Sequence, residues 1–286
     1  MSSTEGGNPA YTARPADAAQ AADQTSSETL STLQDPPVEQ PLAPDTGVFD
    51  EQTVARARQI ITRYPESRSA LLPMLHLLQS VQGHISQEGI AFCAQELALS
   101  TAEVSSVTSF YSMYKRKPCG EHLVSVCTNT LCAALGGDEI YARLGQRLGS
   151  AGRPLHHEET AGEPGTPGSV TLEHAECLAA CDLAPVLQVN YEYFDNQTVE
   201  SAIEVVDGLR RGERPAPTRG APLTSWRDVE LQIAGFFGEP EALRAAVDAP
   251  SASEETLVGA RLAELRGWQA PPMPDEGPLP PVPEKK

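Results

Sequence analysis

Four segments between residues 50 and 110 carry apolar side chains at helical spacing. They begin near Asp50, Ser69, Ser86 and Ser100. In the first segment Ala57 and Ile60 share one face, and Asp50 stands where a helix cap belongs. In the last segment Glu103 follows Ser100 by three residues, which is the spacing of a capping box. Short helices joined by brief connections predict a four-helix bundle.

The hydrophobic pattern changes after residue 115. Apolar runs typical of strands occupy 122–127, 169–173 and 185–191, and helical spacing returns over 131–148 and 199–209. A loop rich in glycine and proline, residues 161–168, separates the first helix from the second strand. The resulting order of strand, helix, two strands, turn and helix predicts a small sheet covered by helices. The fold class is therefore mixed, α+β or α/β.

Both ends of the chain differ from this middle part. Residues 1–47 hold seven acidic side chains against one base, and they show neither helical nor strand periodicity. Such a segment buries too little surface to fold, so it is predicted to be a disordered acidic tail. Residues 215–286 form an extension with helices expected around 231–237, 240–247 and 254–268, followed by a proline-rich end. The predicted divisions are therefore 1–47, 48–115, 116–214 and 215–286.

The formal charge limits the classes of partner. The 286 residues carry a net charge of −18 with a pI near 4.7, which argues against nucleic acid and against an anionic membrane surface as ligands. No apolar run approaches the length of a membrane span, and no secretory signal is recognised at the N-terminus. The chain is expected to be cytosolic, where thiols stay reduced.

Four of the six cysteines fall in two loops that follow predicted strands. Cys127 and Cys132 have the spacing C-x4-C, and Cys177 and Cys181 have the spacing C-x3-C. Zinc sites usually contain C-x2-C turns, and a thioredoxin-type redox centre requires C-x-x-C, which the chain lacks. A [2Fe–2S] cluster is held by four thiolates around a wider object. Zinc, a cluster, and four ordinary buried cysteines remain the alternatives.

The other two cysteines, Cys93 and Cys119, have no partner at ligand spacing and are expected to be structural. His156 and His157 lie in a polar loop where a solvated role is favoured over a metal role. His174 precedes Cys177 by three residues and is a candidate hydrogen-bond donor near a cluster, although an ordinary histidine at a strand end is favoured.

Two further observations concern partners. The run Lys115–Arg116–Lys117 is expected to be solvated, with docking of a partner as the alternative in so acidic a chain. No G-x-G-x-x-G sequence follows a predicted strand. The chain by itself therefore has no evident site for NADH or flavin.

Several motifs occur in an order that resembles a known family. They are Tyr64-Pro65-Glu66-Ser67-Arg68-Ser69-Ala70-Leu71-Leu72-Pro73, Gly83-His84-Ile85-Ser86, Ser109-Phe110-Tyr111, and the two cysteine pairs with Leu183-Ala184-Pro185-Val186. This series resembles the E-type subunits of NADH-quinone oxidoreductase, respiratory complex I, whose mitochondrial counterpart is flavoprotein 2. The resemblance spans roughly residues 48–214.

The resemblance implies a helical bundle followed by a thioredoxin-like ferredoxin domain with one [2Fe–2S] cluster. By position, Cys127, Cys132, Cys177 and Cys181 would be the iron ligands. The cluster would exchange single electrons with flavin mononucleotide in an NADH-binding F-type subunit that also holds a [4Fe–4S] cluster. The resemblance further implies other peripheral-arm subunits as partners, and a cytoplasmic location at the inner face of the cell membrane.

Two alternatives to this function remain open at the level of sequence. One is the equivalent diaphorase subunit of a soluble NAD-linked hydrogenase or formate dehydrogenase. The other, from a different class, is a zinc-stabilised adaptor without a redox role.

Overall fold

A bundle of four helices forms the first part of the structure, a computed structural model that describes residues 48–238 and 254–269. The helices are α1 (Glu51–Ile61), α2 (Leu71–Gln82), α3 (Gln87–Glu96) and α4 (Thr101–Phe110), and a 3₁₀ turn, Ser67–Ala70, leads into α2. Asp50 accepts a hydrogen bond from the Thr53 N–H at 2.8 Å, and Ser100 and Glu103 form the predicted capping box. The predicted bundle is therefore present.

The core of the bundle is built from the apolar stripes of these helices. Its most deeply buried side chains include Ala57, Ile60, Met74, Leu75, Leu78, Cys93 and Val104. Cys93 is one of them, so it packs as the sequence predicts for a structural cysteine. Burying each large aliphatic side chain here contributes about 1.5–3 kcal/mol.

A five-stranded mixed sheet forms the second part. Its strands are β1 (His122–Cys127), β2 (Glu159–Ala161), β3 (Val170–Ala175), β4 (Leu187–Val189) and β5 (Glu192–Phe194), in the order β2-β3-β1-β4-β5. β1 and β3 run parallel, with His122 opposite Val170 and Cys127 opposite Ala175, and the other pairs are antiparallel. The parallel pair brings the ends of β1 and β3 to the same edge of the sheet.

Helices cover this sheet. They are α5 (Thr130–Ala134), α6 (Gly137–Leu148) and α7 (Val199–Arg210), and α6 and α7 pack against each other and against the sheet. The core between them contains Ile140, Leu144, Leu172, Val206 and Leu209. The predicted mixture of helices and sheet is therefore confirmed.

Three details of the prediction were wrong. The helix expected over 131–148 is interrupted, because Gly136 adopts a left-handed conformation (φ 110°) between α5 and α6, and the preceding Leu135 is exposed. The segment expected to be a loop from Ala161 begins with the last residue of β2, a strand too short to show alternation. The strand expected over 185–191 is limited to β4, because the chain turns back into β5.

The extension joins both parts of the fold through helix α8 (Trp226–Ile233). This helix begins earlier than the predicted 231–237, because Ser225 and Asp228 form a capping box. It packs against α2, and the buried Glu230 carboxylate contacts His76 Nδ1 at 2.6 Å and accepts a hydrogen bond from the Tyr191 hydroxyl at 3.0 Å.

The last described element is helix α9 (Glu254–Leu265), within the range predicted as 254–268. The predicted acidic tail, the predicted helix at 240–247 and the proline-rich end lie outside the described residues. Across residues 48–238 and 254–269, no helix combines the length and the apolar character needed to cross a membrane.

Candidate metal centre

The two cysteine loops meet at one edge of the sheet. Cys127 is the last residue of β1, and its neighbour on β3, Ala175, is followed two residues later by Cys177. The Thr128 N–H donates to the Ala175 carbonyl oxygen at 3.0 Å, and Asn129 Nδ2 donates to Glu176 Oε2 at 2.7 Å. The parallel pairing of β1 and β3 thus places the loops side by side.

The first cysteine pair is buried. Cys127 donates its N–H to the Val186 carbonyl oxygen at 3.1 Å. Cys132 lies on the short helix α5, which follows Cys127 in the chain. A Cβ atom at Gly137 would lie 2.5 Å from the Cys127 carbonyl oxygen, so only glycine allows α6 to start this close to the loop. Backbone packing therefore fixes the position of this pair.

The second cysteine pair is exposed. The Sγ atoms of Cys177 and Cys181 are 3.6 Å apart, and Cys181 opens the 3₁₀ turn Cys181–Leu183. The Ala179 N–H donates to Cys177 Sγ at 3.4 Å. Ala179 has a positive φ of 57°, which is unusual for a residue other than glycine.

An apolar group, here called the thiol cluster, surrounds the buried pair. It consists of Cys127, Cys132, Ala180, Leu183 and Val186, with Leu178, Ala184 and Tyr193 packed against it. Burial raises the pKa of Cys132 to about 11, the Val186 backbone opposes this rise, and the nearby Cys127 and Cys181 thiols add to it. The Cys177 thiol raises the pKa of Cys181 by hydrogen bonding and proximity.

The spacing of the thiols is suitable for tetrahedral metal coordination. Two thiolates bound to one ion at about 2.3 Å in tetrahedral geometry lie about 3.8 Å apart, close to the separation of Cys177 and Cys181. Within the part of the chain that the structure describes, no group of three or more His, Cys, Asp or Glu side chains is arranged to enclose a single metal ion. The four cysteines form two pairs on two loops, a donor set of thiolates only, which fits an iron–sulfur group.

A cleft of about 450 Å³ opens beside Cys177, between the segment 112–115 that follows α4 and the sheet. Lys115 lies here, buried in ion pairs with Glu173 and Glu158, so the prediction that this residue is solvated was wrong. Burial lowers the pKa of Lys115, but the two carboxylates outweigh burial and raise it overall. The charge of Lys115 therefore serves an internal contact, while Arg116 and Lys117 are exposed.

His157 and His174 line this cleft. Their rings are tilted by 36° with centroids 4.2 Å apart, and Tyr141 meets His174 edge-on. Burial is the main cause that lowers the pKa of His157, and the neighbouring His174 adds to it.

Cys119 is buried beside Leu123 and Trp226, away from the thiol cluster, as predicted for a structural cysteine.

Sequence reasoning missed two side chains near the thiol cluster, Tyr193 and Arg219. Tyr193 packs against the cluster, and the Arg219 guanidinium lies over the Tyr193 ring at 3.8 Å. Arg219 stands in a proline-rich stretch 38 residues beyond Cys181, where no periodicity marks it as a contact.

Comparison with known proteins places the chain in a class. The model of the thioredoxin-like [2Fe-2S] ferredoxin family matches residues 57–210, and the chain belongs to this family. Within it, the chain is similar to the E-type NADH-quinone oxidoreductase subunit of Mycobacterium tuberculosis (strain ATCC 25618 / H37Rv), with 50% identity over 219 residues, 76% of this chain and 81% of the relative. The corresponding protein of Rickettsia bellii (strain RML369-C) is 33% identical over 165 residues, 57% of this chain and 93% of the relative.

These similarities confirm the predicted resemblance and the predicted thioredoxin-like [2Fe–2S] domain. Among solved structures, an NAD+-reducing [NiFe]-hydrogenase in the air-oxidized state matches with a TM-score of 0.41 and 13% identity, covering 49% of this chain and 23% of the other. A likeness this distant does not bear on function.

Proposed function

We propose that this chain is an electron-transfer subunit of a proton-translocating NADH:quinone oxidoreductase, with one [2Fe–2S] cluster held by Cys127, Cys132, Cys177 and Cys181. The observation that carries the proposal is the meeting of two cysteine loops at one sheet edge, with one pair buried and one exposed. Similarity to the E-type subunits of this complex supports the assembly.

The two pairs have different tasks in this proposal. Cys127 and Cys132, fixed by β1 and α5, would anchor the group from an apolar setting. Cys177 and Cys181 would hold it from the exposed side, where a partner can approach. When bound, the cluster accepts and returns one electron at a time.

The hydride chemistry is assigned to a partner subunit. A one-electron centre must receive its electrons from a cofactor that splits the two-electron hydride of NADH, and flavin performs that step. We infer that FMN and NADH bind an F-type subunit that contacts the exposed pair. The exposed Leu131, next to Cys132 in the sequence, offers further apolar surface to a partner. The complex would lie at the cytoplasmic face of the cell membrane.

The purified full-length chain tests the cluster. We expect a reddish-brown protein with two irons and two acid-labile sulfides per chain, and an electron paramagnetic resonance (EPR) signal that appears on reduction with dithionite. Metal and sulfide analysis and EPR spectroscopy of the same sample measure these properties. A colourless protein with one equivalent of zinc would contradict the proposal and support the zinc-stabilised adaptor.

The proposed partner is tested by co-purification. Affinity-tagged chain produced in its native cells is expected to retain a flavin-containing subunit that oxidises NADH, together with further subunits of a quinone-reducing complex. Flavin fluorescence and NADH:ferricyanide activity of the eluate provide the measurement. Recovery of hydrogenase or formate dehydrogenase subunits in place of these would overturn the assignment to a quinone-reducing complex.

A further inference from the structure

The Tyr193 side chain connects β5 to the thiol cluster and to the loop of Cys177. Its hydroxyl donates a hydrogen bond to the Leu178 carbonyl oxygen at 2.7 Å, one residue after Cys177. Its ring packs against the thiol cluster, which contains the buried pair. Tyr193 thus holds the loop of Cys177 and Cys181 by a hydrogen bond while its ring lies against the thiol cluster.

The carbonyl that Tyr193 binds belongs to the same peptide unit as the Ala179 N–H. That N–H donates to Cys177 Sγ at 3.4 Å. A trans peptide is planar, and its C=O and N–H bonds point in opposite directions. A hydroxyl that holds the Leu178 oxygen on one side therefore keeps the Ala179 N–H directed at the sulfur on the other.

The backbone conformation of Ala179 favours rotation of the Leu178–Ala179 peptide plane. Ala179 has a φ of 57°, and this left-handed region is disfavoured for an L-residue. A half-turn of the peptide plane would bring φ of Ala179 to a negative value and would turn its N–H away from Cys177. The Tyr193 hydrogen bond opposes that rotation, because the carbonyl would lose its partner.

Arg219 lies against the face of the Tyr193 ring. Its guanidinium lies 3.8 Å from the ring centroid, and its Nε and Nη2 atoms donate to the Asp195 carboxylate at 2.9 and 3.2 Å. The neighbouring Thr218 donates its N–H to the Tyr193 carbonyl oxygen at 2.9 Å. The Asp195 and Arg219 side chains are largely buried, so this support is rigid.

We propose that Tyr193 is a positioning residue that directs the Ala179 N–H at Cys177, and that Arg219 fixes its ring. Arg219 lies beyond the segment 57–210 that matches the family, so the extension reaches the metal centre through it. The inference rests on the proposed function, in which Cys177 is an iron ligand. A donor directed at a ligand sulfur favours the more negative, reduced state and raises the reduction potential.

The substitution Tyr193→Phe tests this role, because it removes the hydroxyl and keeps the ring beneath Arg219. The equilibrium constant for one-electron reduction is expected to fall about threefold to tenfold, a downward shift of about 30–60 mV at about 59 mV per tenfold change. A dithionite titration of the full-length protein, followed by EPR, measures the potential and the g values. The iron content and the urea concentration at the midpoint of unfolding should equal those of the control variant described next.

The matched control is Tyr114→Phe. The Tyr114 hydroxyl also donates to a backbone carbonyl, that of Leu72 at 3.0 Å, but within the helical bundle. This variant should leave the potential and the g values unchanged. If Tyr193→Phe shifts them no more than Tyr114→Phe does, the positioning role is wrong.

Two further variants separate positioning from general support. Ala179→Gly in the Tyr193→Phe background relieves the backbone conformation and should recover at least about half of the shift. Arg219→Lys keeps a charge beside Asp195 but loses the planar stack, and should lower the potential by less than Tyr193→Phe. If Tyr193→Phe does not retain iron, Arg219→Lys decides alone, and an unchanged potential there overturns the proposal.

Failure of this inference is distinguishable from failure of the proposed function. A wild-type protein without the iron–sulfur EPR signal contradicts the proposed function itself. A wild-type protein with the signal, together with unaltered potentials in Tyr193→Phe and Arg219→Lys, contradicts only the positioning role.

Discussion

Replacement of Cys177 or Cys132 by serine is expected to abolish the iron–sulfur cluster. Loss of a side chain that merely supports a ligand already lowers metal affinity by about 10–100-fold, so loss of a ligand should lower cluster retention by at least about 100-fold. Cys132 is buried and Cys177 is exposed, so the two substitutions test one ligand from each pair. Iron content and the EPR signal of the reduced protein measure the effect.

Cys93→Ser and Cys119→Ser are the matched controls. Both residues are buried, in the bundle core and beside Trp226, and neither belongs to the thiol cluster. These variants are expected to lose some stability through burial of a hydroxyl but to keep the full EPR signal per folded chain. Bleaching of the protein by Cys93→Ser would show that the ligands are assigned incorrectly.

The second large effect is expected from Trp226→Ala, which should lower the free energy of unfolding by about 3–5 kcal/mol. Trp226 is fully buried, and it packs with Cys119, Leu123 and Tyr191 where α8 meets the sheet. Its backbone N–H donates to the Glu121 carbonyl oxygen at 2.8 Å, which fixes the start of the helix. Urea denaturation followed by circular dichroism measures the change.

The chain contains a matched control for this substitution in its other tryptophan. Trp268 is 59% exposed, with the Arg266 guanidinium 5.1 Å from its ring centroid. Trp268→Ala should change the free energy of unfolding by at most about 1 kcal/mol. Equal effects of the two substitutions would mean that α8 is not part of the cooperative fold.

Local signals explain why the helical bundle could be predicted from the sequence. Asp50, Ser86 and Ser100 cap their helices within three residues, and each bond depends on neighbours in the chain. The apolar run over 122–127 is likewise a local signal, and it predicts β1 at its observed bounds. The predicted position of helix α8 was wrong, because its cap, Ser225, follows a proline-rich stretch that hides the start of the helix.

Contacts between residues far apart in the sequence explain what could not be predicted. Lys115 was predicted to be solvated because it opens a basic run, but Glu173 pairs with it from 58 residues away. The Tyr193–Arg219 contact likewise joins residues from separate segments, and no spacing rule reveals it. The four iron ligands and the boundaries at 47, 115 and 214 remain predictions, because they depend on a bound group and on partners.

The Glu230 carboxylate affects how the protein unfolds. One oxygen contacts His76 in the bundle and the other accepts from Tyr191 in the ferredoxin part, both at buried positions. If either part opened alone, this carboxylate would lose one of its two partners, and α8 would lose its packing against α2 or around Trp226. The bundle and the ferredoxin part should therefore unfold together in one thermal transition. Heat would then release the iron only when the whole molecule denatures.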